Sequence, residues 1–134
     1  MKLIFFAHQD ASQKGTNLKK VMNQNFMDID IQFFHTFNSF KERLKRIGVY
    51  EKEIYVLLAD SKNRLKEINQ LIDLLEDKRI ILILPDASNT TLSMAHHLYP
   101  RFLTYINNTY DDLCAVLIKM MNREKLNNKG DKEK

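Results

Sequence analysis

Arg79 leads into Ile80-Ile-Leu-Ile-Leu84, and Pro85-Asp86-Ala-Ser-Asn-Thr90 follows. Five consecutive aliphatic residues closed by a proline predict a short strand covered on both faces, because a half-exposed strand alternates apolar with polar side chains. This is the most apolar run in the chain and is expected at the centre of a sheet. Outward from it the same pattern repeats. Leu3–Ala7, Ile29–Phe34, Ile54–Ala59 and Phe102–Ile106 are four more short apolar runs. Each is followed by apolar residues at steps of three and four, the spacing of one helix face.

These faces define the helices. Leu18, Val21, Met22 and Phe26 mark one from about Thr16 to Phe26. Phe37, Phe40, Leu44 and Ile47 mark a second, with Asn38 or Ser39 as its cap and Gly48 as its stop. Leu65, Ile68, Ile72 and Leu75, widened by Leu71 and Leu74, mark a third over Asn63–Glu76. Leu92, Ala95 and Leu98 mark a shorter one, capped by Ser88, Asn89 or Thr90 and ended by Pro100. Thr109-Tyr-Asp-Asp112 opens the last, whose inner face is Leu113, Val116, Leu117 and Met120. Alternating strands and helices predict an α/β three-layer sandwich around a five-stranded parallel sheet. Right-handed crossovers put helices on both faces, and the flavodoxin-like architecture of this length implies strand order 2-1-3-4-5. Residues 1–125 are expected to form one domain, and 126–134 a polar, frayed tail.

Composition narrows the function. With 134 residues the chain can bury a real core, and 3 Gly and 2 Pro argue against a loop-rich or low-complexity protein. The single cysteine, Cys114, forms no internal disulfide, so a cytoplasmic location is expected. Met1–Ala7 is too short for a signal-peptide core, and no apolar run approaches the roughly 20 residues of a membrane span. The net charge of +4 comes partly from Lys41, Arg43, Lys45 and Arg46, read as a solvated helix face. No aromatic-interleaved basic stripe accompanies them, so no nucleic-acid partner is expected.

Element order, element lengths and Asp60 at the end of the third run resemble the receiver domain of bacterial response regulators, from about Lys2 to Arg123. The resemblance implies an acidic pair after the first strand for magnesium, a phosphate-accepting Asp after the third, a hydroxyl after the fourth and a Lys after the fifth. Magnesium would neutralise the phosphoryl oxygens, and the Lys and hydroxyl would stabilise charge during transfer. This chain departs from the pattern. His8 and Gln9 follow the first strand, with Asp10 the one acidic residue. The hydroxyl slot falls near Leu84 or Pro85, ahead of Ser88. The lysine slot falls on Ile106 or Asn107. The resemblance therefore implies a degenerate, pseudo-receiver domain in which Asp60 is the candidate phosphoacceptor.

His8, Asp10, His35, Asp60 and Asp86 all lie at strand ends and are candidates for one cleft. His and carboxylate ligands suit zinc, but no tight ligand motif is present and no metal is expected. Asp60 or Ser61 also fits the cap of the following helix. Ser12-Gln-Lys-Gly-Thr16 lies where flavodoxins hold a flavin phosphate, yet it has a single glycine and the chain has no Trp, so no flavin is expected. His96 and His97 are adjacent on a helix and diverge by about 100°. Cys114 reads as core. In receivers the fourth helix, fifth strand and fifth helix form the partner face. By that resemblance Tyr99, Tyr105, Tyr110, Ile118 and Met121 are the interaction-face candidates, for a protein partner or a homodimer through the last helix region. The expected function is a non-catalytic, non-enzymatic interaction or regulatory module in bacterial signal transduction. The alternatives are a phosphate-accepting receiver using Asp60 with Mg2+, and a small-ligand or metal-binding flavodoxin-like domain.

Overall fold

The computed structural model describes residues 2–46 and 52–133, with side chains at all of these except 12 and 124–133. Its strands are β1 Lys2–Ala7, β2 Asp30–Phe34, β3 Glu53–Leu58, β4 Arg79–Leu84 and β5 Phe102–Tyr105. Its helices are α1 Ser12–Asn25, α2 Phe37–Leu44, α3 Lys62–Asn69, α4 Ile72–Leu75, α5 Asn89–His96 and α6 Asp111–Glu133. The strands form one parallel sheet in the order β2-β1-β3-β4-β5. This is the flavodoxin-like topology expected from the alternating runs. The middle strand is β3, however, and not the more aliphatic β4. Both are covered on two faces, so apolarity reports facial burial and not position in the sheet.

Alternate residues of a strand point to opposite faces. Ile4, Phe6, Tyr55, Leu57, Ile80 and Leu82 therefore join one core with Phe40 of α2, Leu65 of α3 and Ala95 of α5. Leu3, Phe5, Ile54, Val56, Ile81 and Ile83 join the other with Leu18 and Met22 of α1 and Leu113 and Leu117 of α6. Among the described residues no helix is long and apolar enough to cross a membrane.

Several local features depart from the expected pattern. The single helix expected over Asn63–Glu76 is two, because the chain turns at Gln70 and Leu71 between α3 and α4. That turn shifts the helical phase by one residue. Leu71 and Leu75 are buried, while Ile72 is turned outward and is 40% exposed. The cap of α2 is Thr36, whose hydroxyl accepts from Ser39 N at 3.2 Å; Asn38 and Ser39 already lie inside the helix. Ser88 caps α5, its hydroxyl accepting from Thr91 N at 3.3 Å. α1 begins at Ser12, four residues before the expected start. Ile47 and Gly48, the expected end of α2, lie outside the described residues. The backbone of α6 stays helical to Glu133, so the polar stretch from Leu126 continues that helix; its side chains lie outside the described residues.

The basic face expected on α2 is incomplete. Arg43 is buried and forms an ion pair with Glu53, whose other oxygen accepts from the Tyr55 hydroxyl at 2.6 Å. A paired, buried guanidinium is not available to a polyanion, because a buried charge must keep its partner. This ion pair ties α2 to the start of β3.

Candidate functional site

The carboxyl ends of the strands bring together some of the candidate residues and hold others apart. β1 ends at Ala7, and the chain enters a short 3-10 turn at Gln9–Ala11. His8 Nδ1 accepts from Asp10 N at 3.1 Å and lies 3.5 Å from the Asp10 carboxylate. A ring nitrogen that accepts a backbone N–H carries no proton to give that carboxylate, so His8 shapes its own turn. His35 Nδ1 donates to the Ala7 carbonyl at 3.0 Å, and Gln9 N donates to the His35 carbonyl at 2.9 Å. The two contacts pin the loop after β2 to the loop after β1. The His35 ring also stacks on Phe33. Both histidines are engaged in holding loops.

Asp60 follows β3, and the group it meets is Arg64, one helical turn along. Arg64 Nε donates to Asp60 Oδ1 at 3.0 Å. Its Nη1 donates to Glu67 Oε2 at 2.9 Å, and its Nη2 lies 3.5 Å from Asp10 Oδ2. One guanidinium thus spans three carboxylates, two of them from different strand ends. It is 9% exposed. Burial works against its charge, but the Asp60 and Glu67 contacts outweigh that and hold its pKa above the ordinary value. The cap of α3 is Ser61, which accepts from Arg64 N at 3.1 Å. Asp60, relieved of the capping role, is left to hold the guanidinium.

Asp86 stays apart from this group. Its Oδ1 accepts from Ser88 N at 2.9 Å, closing the loop after β4. At the end of β5, in the slot where a receiver carries lysine, Asn107 Oδ1 accepts from Lys14 Nζ at 3.2 Å. An ammonium does reach this slot, but it comes from the first turn of α1. Sequence order had concealed that approach, and it had also concealed Arg64, whose spacing from Asp60 reads as an ordinary (i, i+4) helix pair.

The magnesium implied by the receiver resemblance does not fit these residues. The ion prefers oxygen ligands free to complete an octahedron. Asp10 and Asp60 face a buried guanidinium, and turning them to a metal would leave that cation with Glu67 as its one carboxylate partner among the described residues. Among the described residues no three His, Cys, Asp or Glu side chains are placed to hold a metal ion. Ser12–Thr16 forms the first turn of α1 and not a loop, with Gly15 packed close against Ala7. The backbone there has no free loop to wrap a flavin phosphate.

The interaction-face candidates do not form one patch. Tyr105 packs against the core shared with α3 and α5, whereas Tyr110 packs on the opposite side of the sheet. Met121 is buried. Tyr99 is 86% exposed and Ile118 48% exposed. Val116, on the side of α6 that meets Arg101 and Phe102, is two positions from Ile118, so the two point about 200° apart. His96 and His97 are both exposed. Cys114 is half-buried, and burial, then Asp111, raises its thiol pKa, which opposes the thiolate a nucleophile needs. No protein-family model matches the chain, and no curated protein or solved structure matches it either.

Proposed function

We propose that this chain is a receiver-like module that does no phosphoryl chemistry and acts in bacterial signal transduction through its folded surface. The observation that carries this reading is the Arg64 guanidinium, which meets Asp60, Glu67 and Asp10 together. A working receiver keeps its carboxylates available to a metal and to phosphate. Here a covalently tethered cation is paired with Asp60 and lies beside Asp10, so a metal ion or phosphoryl group would have to displace it before the cleft could act as a phosphorylation switch. The sheet order and the position of Asp60 support the receiver-like part of the reading. Tyr99 and Ile118 are two separate exposed side chains, and they are the positions at which contact with a protein partner or a second copy is to be tested.

Incubation with acetyl phosphate and magnesium, followed by intact-mass measurement, tests the reading. The expected result is an unchanged mass. A gain of one phosphoryl group that is lost in Asp60→Asn overturns it in favour of a phosphate-accepting receiver. Sedimentation velocity over a concentration series tests self-association. Ile118→Glu is expected to reduce any dimer, and a monomer throughout leaves a heterologous partner as the reading.

A further inference from the structure

The amino ends of β4 and β5 carry a second constellation, at the opposite edge of the sheet from Asp60. Arg79 is the first residue of β4, and Arg101 immediately precedes β5. Arg101 N donates to the Ile80 carbonyl at 2.7 Å, which holds Arg101 at the start of β4. α6 crosses the same corner, and its Lys119 and Arg123, four residues apart, share one face. All four cations line one cleft of about 500 Å3, together with the apolar Phe102, Val116 and Met120. Arg101, Lys119 and Arg123 are exposed, and among the described residues none of the three has a carboxylate partner. Among the described residues no acidic side chain lines the cleft.

Like charges gathered in one concavity repel one another, and a multivalent anion relieves that repulsion. Guanidinium groups match phosphate oxygens in pairs. The volume lies within the range of roughly 300–1,000 Å3 typical of small-molecule pockets, and Phe102, Val116 and Met120 supply apolar surface among the cations. We infer that this cleft binds a phosphate-bearing small molecule of nucleotide size, with its phosphates on Arg101, Lys119 and Arg123 and its ring against Phe102. A nucleic-acid strand is the less favoured occupant, since the cations surround a concavity and do not run as a stripe. The other basic cluster, on α2, has Arg43 buried in its ion pair.

Calorimetric titration of the full chain with ATP, tripolyphosphate and a short single-stranded oligonucleotide, at physiological ionic strength, tests the inference. The expected result is saturable ATP binding, tighter than tripolyphosphate. Arg101→Ala and Arg123→Ala should each weaken it by about tenfold or more, the usual loss for a charge-assisted hydrogen bond. Lys66→Ala, at an exposed position of α3, should leave it unchanged. All of these positions are exposed, and an unchanged circular dichroism spectrum shows that each variant is folded. Absence of ATP binding at millimolar concentration overturns the inference. Tripolyphosphate binding as tightly as ATP overturns the role of Phe102. Oligonucleotide binding lost in Arg101→Ala, with ATP inert, assigns the cleft to nucleic acid instead.

Discussion

Arg64 sets the character of the strand-end cleft, and the consequence of removing it follows from its partners. In Arg64→Met the methionine replaces part of the aliphatic stem but leaves Asp60 without its cation. Breaking a fully buried pair costs about 3–5 kcal/mol, while exposed pairs are worth about 0–1 kcal/mol. Asp10 is open to water and Asp60 partly so, so the expected loss is about 1–2 kcal/mol, read as a lower urea midpoint. Asp86 supplies a pH signature. The Thr91 hydroxyl, then the Ser88 N–H and hydroxyl, hold its carboxyl down to about 2, from an ordinary 3.8. A folded-state pKa below the unfolded one adds stability above the unfolded value and loses it as pH falls towards the folded value. The melting temperature should therefore fall from about pH 4 towards pH 2, and Asp86→Asn should flatten that part of the curve.

At the scale of elements, the turn between α3 and α4 decides which side chain the core receives. A continuous helix through Glu76 would bury Ile72, since positions 65, 68, 72 and 75 share one face. With the turn, Leu71 takes the buried position and Ile72 becomes part of the surface. The two residues should thus respond oppositely to truncation. Leu71→Ala is expected to cost about 2–4 kcal/mol in urea denaturation, as a buried leucine does. Ile72→Ala should stay within about 0.5 kcal/mol of the parent. Equal losses would indicate one unbroken helix. The caps follow the same local logic. Thr36, Ser61 and Ser88 each stand in extended backbone with a hydroxyl aimed at the N–H three residues on. Two of them, Ser61 and Ser88, are among the caps the sequence pattern offers, while at α2 the hydroxyl lies two residues earlier than Asn38.

For the whole molecule, the two edges of the sheet differ in how their charges are satisfied. At the carboxyl edge a tethered guanidinium pairs with carboxylates; at the amino edge Arg101, Lys119 and Arg123 line a cleft that has no acidic side chain among the described residues. Magnesium should therefore leave the melting temperature unchanged, because only a ligand that binds the folded state raises it. A rise that disappears in Asp60→Asn would show that the ion can displace Arg64.

Five runs such as Ile80–Leu84, buried on both faces and separated by helical stripes, were sufficient by themselves to determine a parallel α/β sandwich. The reason is physical: a double-sided apolar strand has few stable environments other than between two helix layers, and crossover handedness leaves few ways to connect them. Asp60 was legible as a strand-end carboxylate for the same reason. Only the tertiary structure decided what Asp60 does. The reach of the Arg64 guanidinium to Asp10, 54 positions earlier in the chain, depends on β1 and β3 lying side by side. The cation cleft likewise exists only because α6 crosses the start of β5. Periodicity records which face of an element is buried, whereas a site depends on which elements meet, and that is set by the packing of the whole chain.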